Sequence, residues 1–222
     1  MIFATRAPDG IRPKLEAVPV ALYAASTNPG KLRDFAVAAA EGGFSLQALP
    51  NLRSVAAPEE VEPTFAGNAR LKAEYYSRLS SEIILADDSG LEVDALGGAP
   101  GVRSARFAED AGYDPPQART TDERNNLYLL DRMRGRTPRT AHYRCVLAAA
   151  LAGVVLATGE GMVEGEILEA PRGTGGFGYD PLFWLDELQH TMAQISLDEK
   201  HAVSHRGRAF RDLLPRLQRA LR

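Results

Sequence analysis

Apolar positions along the chain fall into two kinds of segment: short uninterrupted runs, and longer stretches with an apolar residue every third or fourth place. Residues 18–25 and 83–86 are runs of the first kind and predict buried strands. Between them, Asn28-Pro29-Gly30-Lys31 opens a helical pattern that lasts to about residue 40. Asn28 suits the cap and Pro29 the first helical position. Across 64–79, Phe65, Ala69, Ala73 and Tyr76 recur at helical spacing behind a capping Thr64, which predicts an amphipathic helix. The acidic, proline-bearing stretch 59–63 reads as loop. A strand, two helices and a second strand in this order predict a mixed α/β domain.

The pattern continues with a turn-rich segment at 97–101 and a polar loop over 109–122. Residues 122–134 predict a helix with Leu127, Leu130 and Met133 facing inward. Two long strands, 142–151 and 154–167, are joined only by Ala152-Gly153, so they form an antiparallel hairpin. Residues 173–179 are a glycine-rich loop. A final helix over 204–221 carries the stripe Phe210, Leu213, Leu214, Leu217 and Leu221, with Pro215 expected to kink or break it. Residues 1–18 have no long apolar core and read as a flexible extension, leaving 19–222 as a single domain.

Composition narrows the class of protein. The chain has 222 residues, 45% hydrophobic and 25% charged, with a net charge of −3. That is ordinary for a soluble globular domain and gives no bulk basicity for binding nucleic acid. No apolar run approaches the roughly 18 residues of a membrane span. The single cysteine, Cys145, cannot form an internal disulfide, which points to a reducing, cytoplasmic setting. Its apolar neighbours make it a packed small hydrophobe and not a nucleophile.

Five places carry candidate chemistry. Asp87-Asp88-Ser89-Gly90 follows the apolar run 83–86 directly. Charge at the end of a buried strand needs a partner, and carboxylates take hard divalent cations; the alternative is a simple turn. In an extended backbone the two carboxylates point to opposite sides, so only one faces a metal. Ser26-Thr27-Asn28-Pro29-Gly30-Lys31 places hydroxyls, helix amides and an ammonium at one helix start, which suits phosphate without matching the P-loop spacing. Asn68 and Lys72 are four apart and share one helix face. Thr174-Gly175-Gly176-Phe177-Gly178-Tyr179-Asp180-Pro181 permits close approach of a ligand, with Phe177 placed to stack on a base and Tyr179 to support it. Last, Ser204-His205-Arg206 puts two cations in the first turn of a helix, against its dipole, with Lys200 just upstream. A local rule broken in this way often marks a functional site.

Taken together in this order, the motifs resemble the inosine/xanthosine triphosphate pyrophosphatases, nucleotide hydrolases that cleanse the nucleotide pool. The resemblance also covers Gly97-Gly98-Ala99-Pro100-Gly101, Ser104-Ala105-Arg106 and Gly207, and spans nearly all of 20–221. The chain departs from the family in its N-terminal extension and in a long loop near Pro115-Pro116.

The resemblance implies an elongated α/β fold, with a long mixed sheet, flanking helices and two lobes around a central cleft, assembled as a homodimer. It implies Mg²⁺-dependent hydrolysis of ITP, dITP and XTP to the monophosphate and pyrophosphate. Asp88 would bind Mg²⁺ and act as general base, and either Glu59 or Glu60 would be a further metal ligand. Ser26 to Lys31, Asn68 and Lys72 would hold the triphosphate, and Ser89 would touch substrate. Phe177, Gly178, Tyr179, Asp180, Lys200, His205 and Arg206 would surround the base. Two rival readings are a nucleotidase acting on other modified nucleotides and a nucleotide-binding module without turnover.

Overall fold

The computed structural model describes residues 20–222; the expected N-terminal extension and the first two residues of the first predicted strand lie outside them. The chain begins with β1 (Val20–Ala24), α1 (Pro29–Glu41) and β2 (Phe44–Ala48), followed by α2 (Phe65–Ser77) and β3 (Ile83–Val93). Next come α3 (Phe107–Asp110), α4 (Thr121–Met133), and the long strands β4 (Thr140–Leu151) and β5 (Val154–Ile167). Short strands β6 (Phe183–Leu185) and β7 (His190–Thr191) precede α5 (Leu197–Val203) and α6 (His205–Ala220). The strands form one seven-stranded sheet in the order β2-β1-β3-β4-β5-β6-β7. β1 runs parallel to β2 and β3, and the remaining pairings are antiparallel. The expected mixed sheet with flanking helices is therefore present.

Side-chain alternation sorts the core. Leu85 and Leu147 face α1 and α6 in one cluster, while Ala86, Val146 and Ala148 face α2 on the other side. Farther along the same strands, Leu91, Val93, Tyr143 and Val163 join a third cluster with Leu129 and Met133 of α4. Asp87 to Gly90 thus lie in β3 between apolar clusters. The hairpin turn places Ala152 at φ 50° and Gly153 at φ 82°, the pair of left-handed residues that matches the twist of a two-residue connection.

Several expectations are corrected. β3 does not end at Ala86: Asp87, Asp88 and Ser89 stay extended, paired with Leu147, Val146 and Cys145 of β4. The polar side chains do not stop the strand because neighbouring helices supply cations for both carboxylates. In α4 the inward face is Asn125, Leu129 and Met133, and Leu127 and Leu130 are half-buried flanks. The 109–122 loop starts inside the short helix α3. α6 is not broken by Pro215, because Phe210, Leu213, Leu214 and Leu217 are buried against the sheet around it. That burial outweighs one missing backbone hydrogen bond. Cys145 is fully buried, and burial pushes its thiol far above the ordinary range, as expected of a packed hydrophobe.

Candidate active site

β1 pairs with β3 only from Ile83 to Leu85, so among the described residues β3 has no strand on that side at Asp87, Asp88 and Ser89. The two carboxylates project from this open edge to opposite faces of the sheet. On the face of α1, Lys31 Nζ lies 2.8 Å from Asp87 Oδ2. On the face of α2, Lys72 Nζ lies 3.2 Å from Asp88 Oδ1.

The two faces tune their acids differently. Burial pushes Asp87 upward, but the nearby charges of Lys31, Lys72 and Arg206 prevail and hold it at about 2. Burial also pushes Asp88 upward, and Lys72 does not cancel it, because Glu60 and Asp87 add like charge; its carboxyl sits above the usual aspartate value. Lys72 loses some charge stabilisation to burial but gains more from Asp88, Asp87 and Glu60, so its ammonium is held charged. Asn68 Nδ2 donates to Asp88 Oδ2 at 3.2 Å and to the Glu62 carbonyl, while its oxygen accepts from the Glu62 amide. That side chain ties the 59–63 loop to β3.

The acidic pair separates in space. Glu60 Oε1 is 3.1 Å from Lys72 Nζ, with Arg106 3.9 Å from its other oxygen. Glu59 is exposed and lines a separate hollow with Arg70 and Tyr75. Carboxylate oxygens of Glu60 and Asp88 therefore converge on one positive centre. That donor set fits a hard divalent cation, which commonly uses one or two carboxylates and completes its shell with water and substrate phosphate.

On the other face, a cavity of about 140 Å³ is lined by Asn28, Lys31, Ser89, Tyr143, Phe177 to Asp180, His205 and Arg206, among others. Phe177 packs so closely on Gly30 that a methyl group there would sit 2.4 Å from its ring. The Arg206 guanidinium lies 4.7 Å from that ring's centre and Lys200 Nζ lies 4.9 Å from it. Lys200 is buried and bound to Asp180 at 2.5 Å, and Asp180 in turn accepts from the Phe177 amide at 2.9 Å. Arg206 donates to Ser89 Oγ at 3.2 Å and pairs with buried Asp34 at 3.5 Å, while Ser89 donates to Asp87. A chain of charge and hydrogen bonds thus runs Lys31–Asp87–Ser89–Arg206–Asp34. Tyr179 is buried with its hydroxyl on the Ser104 carbonyl, so it supports the loop from below.

Two expectations about helix starts are revised. The amides of Gly30 and Lys31 are taken by Asn28 Oδ1 at 2.8 and 3.2 Å, and Pro29 has none, so they are not free for an anion. Ser26 Oγ accepts from the Asn28 amide, and Thr27 is exposed. The positive charge at this corner comes from Lys31 itself. His205 is not a cation: burial, then Arg206, Lys200 and Lys31, lower its pKa well below 6.5. It stacks on Tyr143 at 4.7 Å and 11°, with neither ring nitrogen partnered among the described residues. Sequence reasoning missed Asp34 and Tyr143. Asp34 was findable, since it lies three residues from Lys31 on an otherwise apolar helix face.

The fold and site define a mixed α/β protein with a basic, aromatic cavity backed by paired carboxylates. A model of the Ham1 family matches residues 22–216. A dITP/XTP pyrophosphatase of Acidobacterium capsulatum is 60% identical over 197 residues, covering 88% of this chain and 97% of the relative. One from Thermus thermophilus is 46% identical over 192 residues, covering 86% of this chain and 88% of the relative. Among solved structures, the Staphylococcus aureus Ham1 protein superposes with a TM-score of 0.74 at 36% identity, covering 89% of this chain and 98% of its own. A Coxiella burnetii HAM1 protein gives 0.75 at 33% identity, with 90% and 99% covered. The chain belongs to the Ham1 family.

Proposed function

We propose that this protein hydrolyses non-standard purine nucleoside triphosphates, ITP, dITP and XTP, to the monophosphate and pyrophosphate. The observation that carries this reading is the pair of adjacent carboxylates at the open edge of β3, each set against a lysine, beside an aromatic cavity. In this reading the base enters the cavity against Phe177, and the phosphates lie along the strand edge between Lys31 and Lys72. Asp88, with its raised pKa, is the general base and takes the proton of the attacking water. Water adds to the α-phosphorus as the bond to the bridging oxygen breaks, and pyrophosphate leaves. Lys31 and Lys72 offset the charge on the phosphate oxygens.

Glu60 and Asp88 would hold Mg²⁺, with Glu59 as the less favourably placed alternative. A divalent ion bound there polarises phosphate oxygens and neutralises charge. Preference for a 6-oxo purine over adenine would come from donors facing O6, with Arg206 the charged one. An adenine amino group would set donor against donor and leave buried groups unpaired.

Among the described residues no helix is long and apolar enough to cross a membrane. The homodimer, the cytoplasmic setting and the absence of a nucleic-acid partner belong to the same reading, as does the division into a 1–18 extension and a single domain. A panel of ITP, dITP, XTP, ATP and GTP, with pyrophosphate and phosphate assayed separately, tests the reading. Mg²⁺-dependent pyrophosphate release, with ITP used far better than ATP, is expected. Phosphate release, or equal use of ATP and ITP, would overturn it.

A further inference from the structure

The loop that carries Phe177 is fastened at one residue by α4, a helix about fifty residues earlier in the chain that shares a core cluster with Tyr179. The Gly178 amide donates to Asp122 Oδ2 at 2.7 Å, and the Gly178 carbonyl accepts from Asn126 Nδ2 at 2.9 Å. Asp122 and Asn126 are four apart on α4 and share a face, so one helix surface grips both polar groups of one residue. Gly178 itself is at φ 63°, a conformation other residues adopt only with strain.

The orientation of Asn126 is set by its surroundings. Its nitrogen donates to two carbonyls, Gly178 and Asp122, while its buried oxygen has no partner among the described residues. A buried unpaired oxygen costs free energy, so the residue is poorly explained by packing alone. The opposite side of the loop is fixed by Asp180, which takes the Phe177 amide. Phe177 therefore sits between two clamps, and its ring position over Gly30 depends on both.

We propose that Asp122 and Asn126 are positioning residues for the base: they preset the peptides on either side of Gly178 so that the aromatic plate of Phe177 is in place before substrate arrives. This rests on the reading that the base binds against Phe177. Ordering a loop at the moment of binding lowers affinity, and presetting it removes that cost. The effect falls on capture of the base and not on the phosphate chemistry at Asp88.

A simpler role for Asp122 is a negative charge in the first turn of α4, where the helix dipole favours it. The two roles respond to different changes. Asp122→Asn keeps an acceptor in place and removes the charge; Asp122→Glu keeps the charge and shifts the acceptor.

The test measures kcat and KM for ITP, thermal melting, and amide exchange over residues 174–180 in the substrate-free protein. Asp122→Ala and Asn126→Ala are expected to raise KM roughly tenfold, the loss of one good hydrogen bond, with kcat within about threefold of wild type. Both are expected to speed exchange of the loop, Asp122→Asn to restore most of KM and protection, and Asp122→Glu to restore neither. Unchanged KM and exchange in the alanine variants would overturn the proposal. So would an Asp122→Glu protein that outperforms Asp122→Asn, or a loss in kcat that tracks a lowered melting temperature. If the wild type fails to hydrolyse ITP but the exchange pattern appears as stated, the clamp stands and the substrate reading falls.

Discussion

Asp88 carries the sharpest conflict between stability and function. Its folded-state pKa is raised, so ionising it costs stability, and that cost appears as pH rises through the folded value. Asp88→Asn removes the charge while keeping the size and a contact to Asn68. Turnover is expected to fall by about 10²–10⁴, the share of a general base, while the melting temperature holds or rises. Retention of more than about a tenth of kcat would remove Asp88 from that role. His205 offers a second test with the opposite dependence. Its folded pKa lies well below the unfolded 6.5, so the unfolded chain takes up a proton that the folded chain refuses. The contribution is complete above 6.5 and is lost as pH falls below it, at up to about 1.4 kcal/mol per pH unit. His205→Phe keeps a plate on Tyr143 and cannot titrate. Its melting temperature is expected to drop less than that of wild type between about pH 7 and pH 5. Parallel melting curves for the two proteins would contradict this account of His205.

At the scale of elements, the site depends on how closely α6 lies on β5. A Cβ on Gly161 would stand 2.3 Å from the His205 carbonyl and 2.4 Å from the Ala209 amide; one on Gly159 would meet Leu213 backbone at 2.5 Å. These neighbours are backbone atoms and cannot rotate aside. Gly161→Ala is therefore expected to lift the first turn of α6, which holds His205 and Arg206, at a cost of about 1–3 kcal/mol. Its kcat/KM for ITP should fall more than that of an equally destabilised variant in α4 away from Gly178. Equal losses would show that the helix start is not a precise part of the site. The same elements show what was legible. Helices α1 and α2 were readable because cap and apolar spacing agreed, and Asn28 and Thr64 do cap them. The extension of β3 through Asp87 and Asp88 was not readable, because local polarity argued for a turn. The partners that allow a strand there, Lys31 and Lys72, lie on helices far away in sequence.

For the molecule as a whole, the sheet is a partition, and β3 delivers one acid to each side of it. The alternation of a strand already placed Asp87 and Asp88 on opposite faces. Which elements covered each face, and that Glu60 and not Glu59 would reach Lys72, needed the topology. The partition makes the two lysines inequivalent. Lys31 faces the cavity and is partly exposed, while Lys72 lies between Glu60 and Asp88. Lys31→Ala and Lys72→Ala should each weaken triphosphate binding more than monophosphate binding, because both stand at the strand edge assigned to the outer phosphates. Only Lys72→Ala leaves two carboxylates facing each other with their central cation gone. Removing one partner of a buried pair typically costs about 3–5 kcal/mol, and the contact of Asn68 with Asp88 should keep the loss near the lower figure. Millimolar Mg²⁺ should then restore the melting temperature of Lys72→Ala by more than it raises that of wild type or Lys31→Ala, since no ammonium competes for the carboxylates. If Mg²⁺ shifts all three proteins equally, Glu60 and Asp88 do not form the cation site, and the divalent ion must be held elsewhere on the phosphate path.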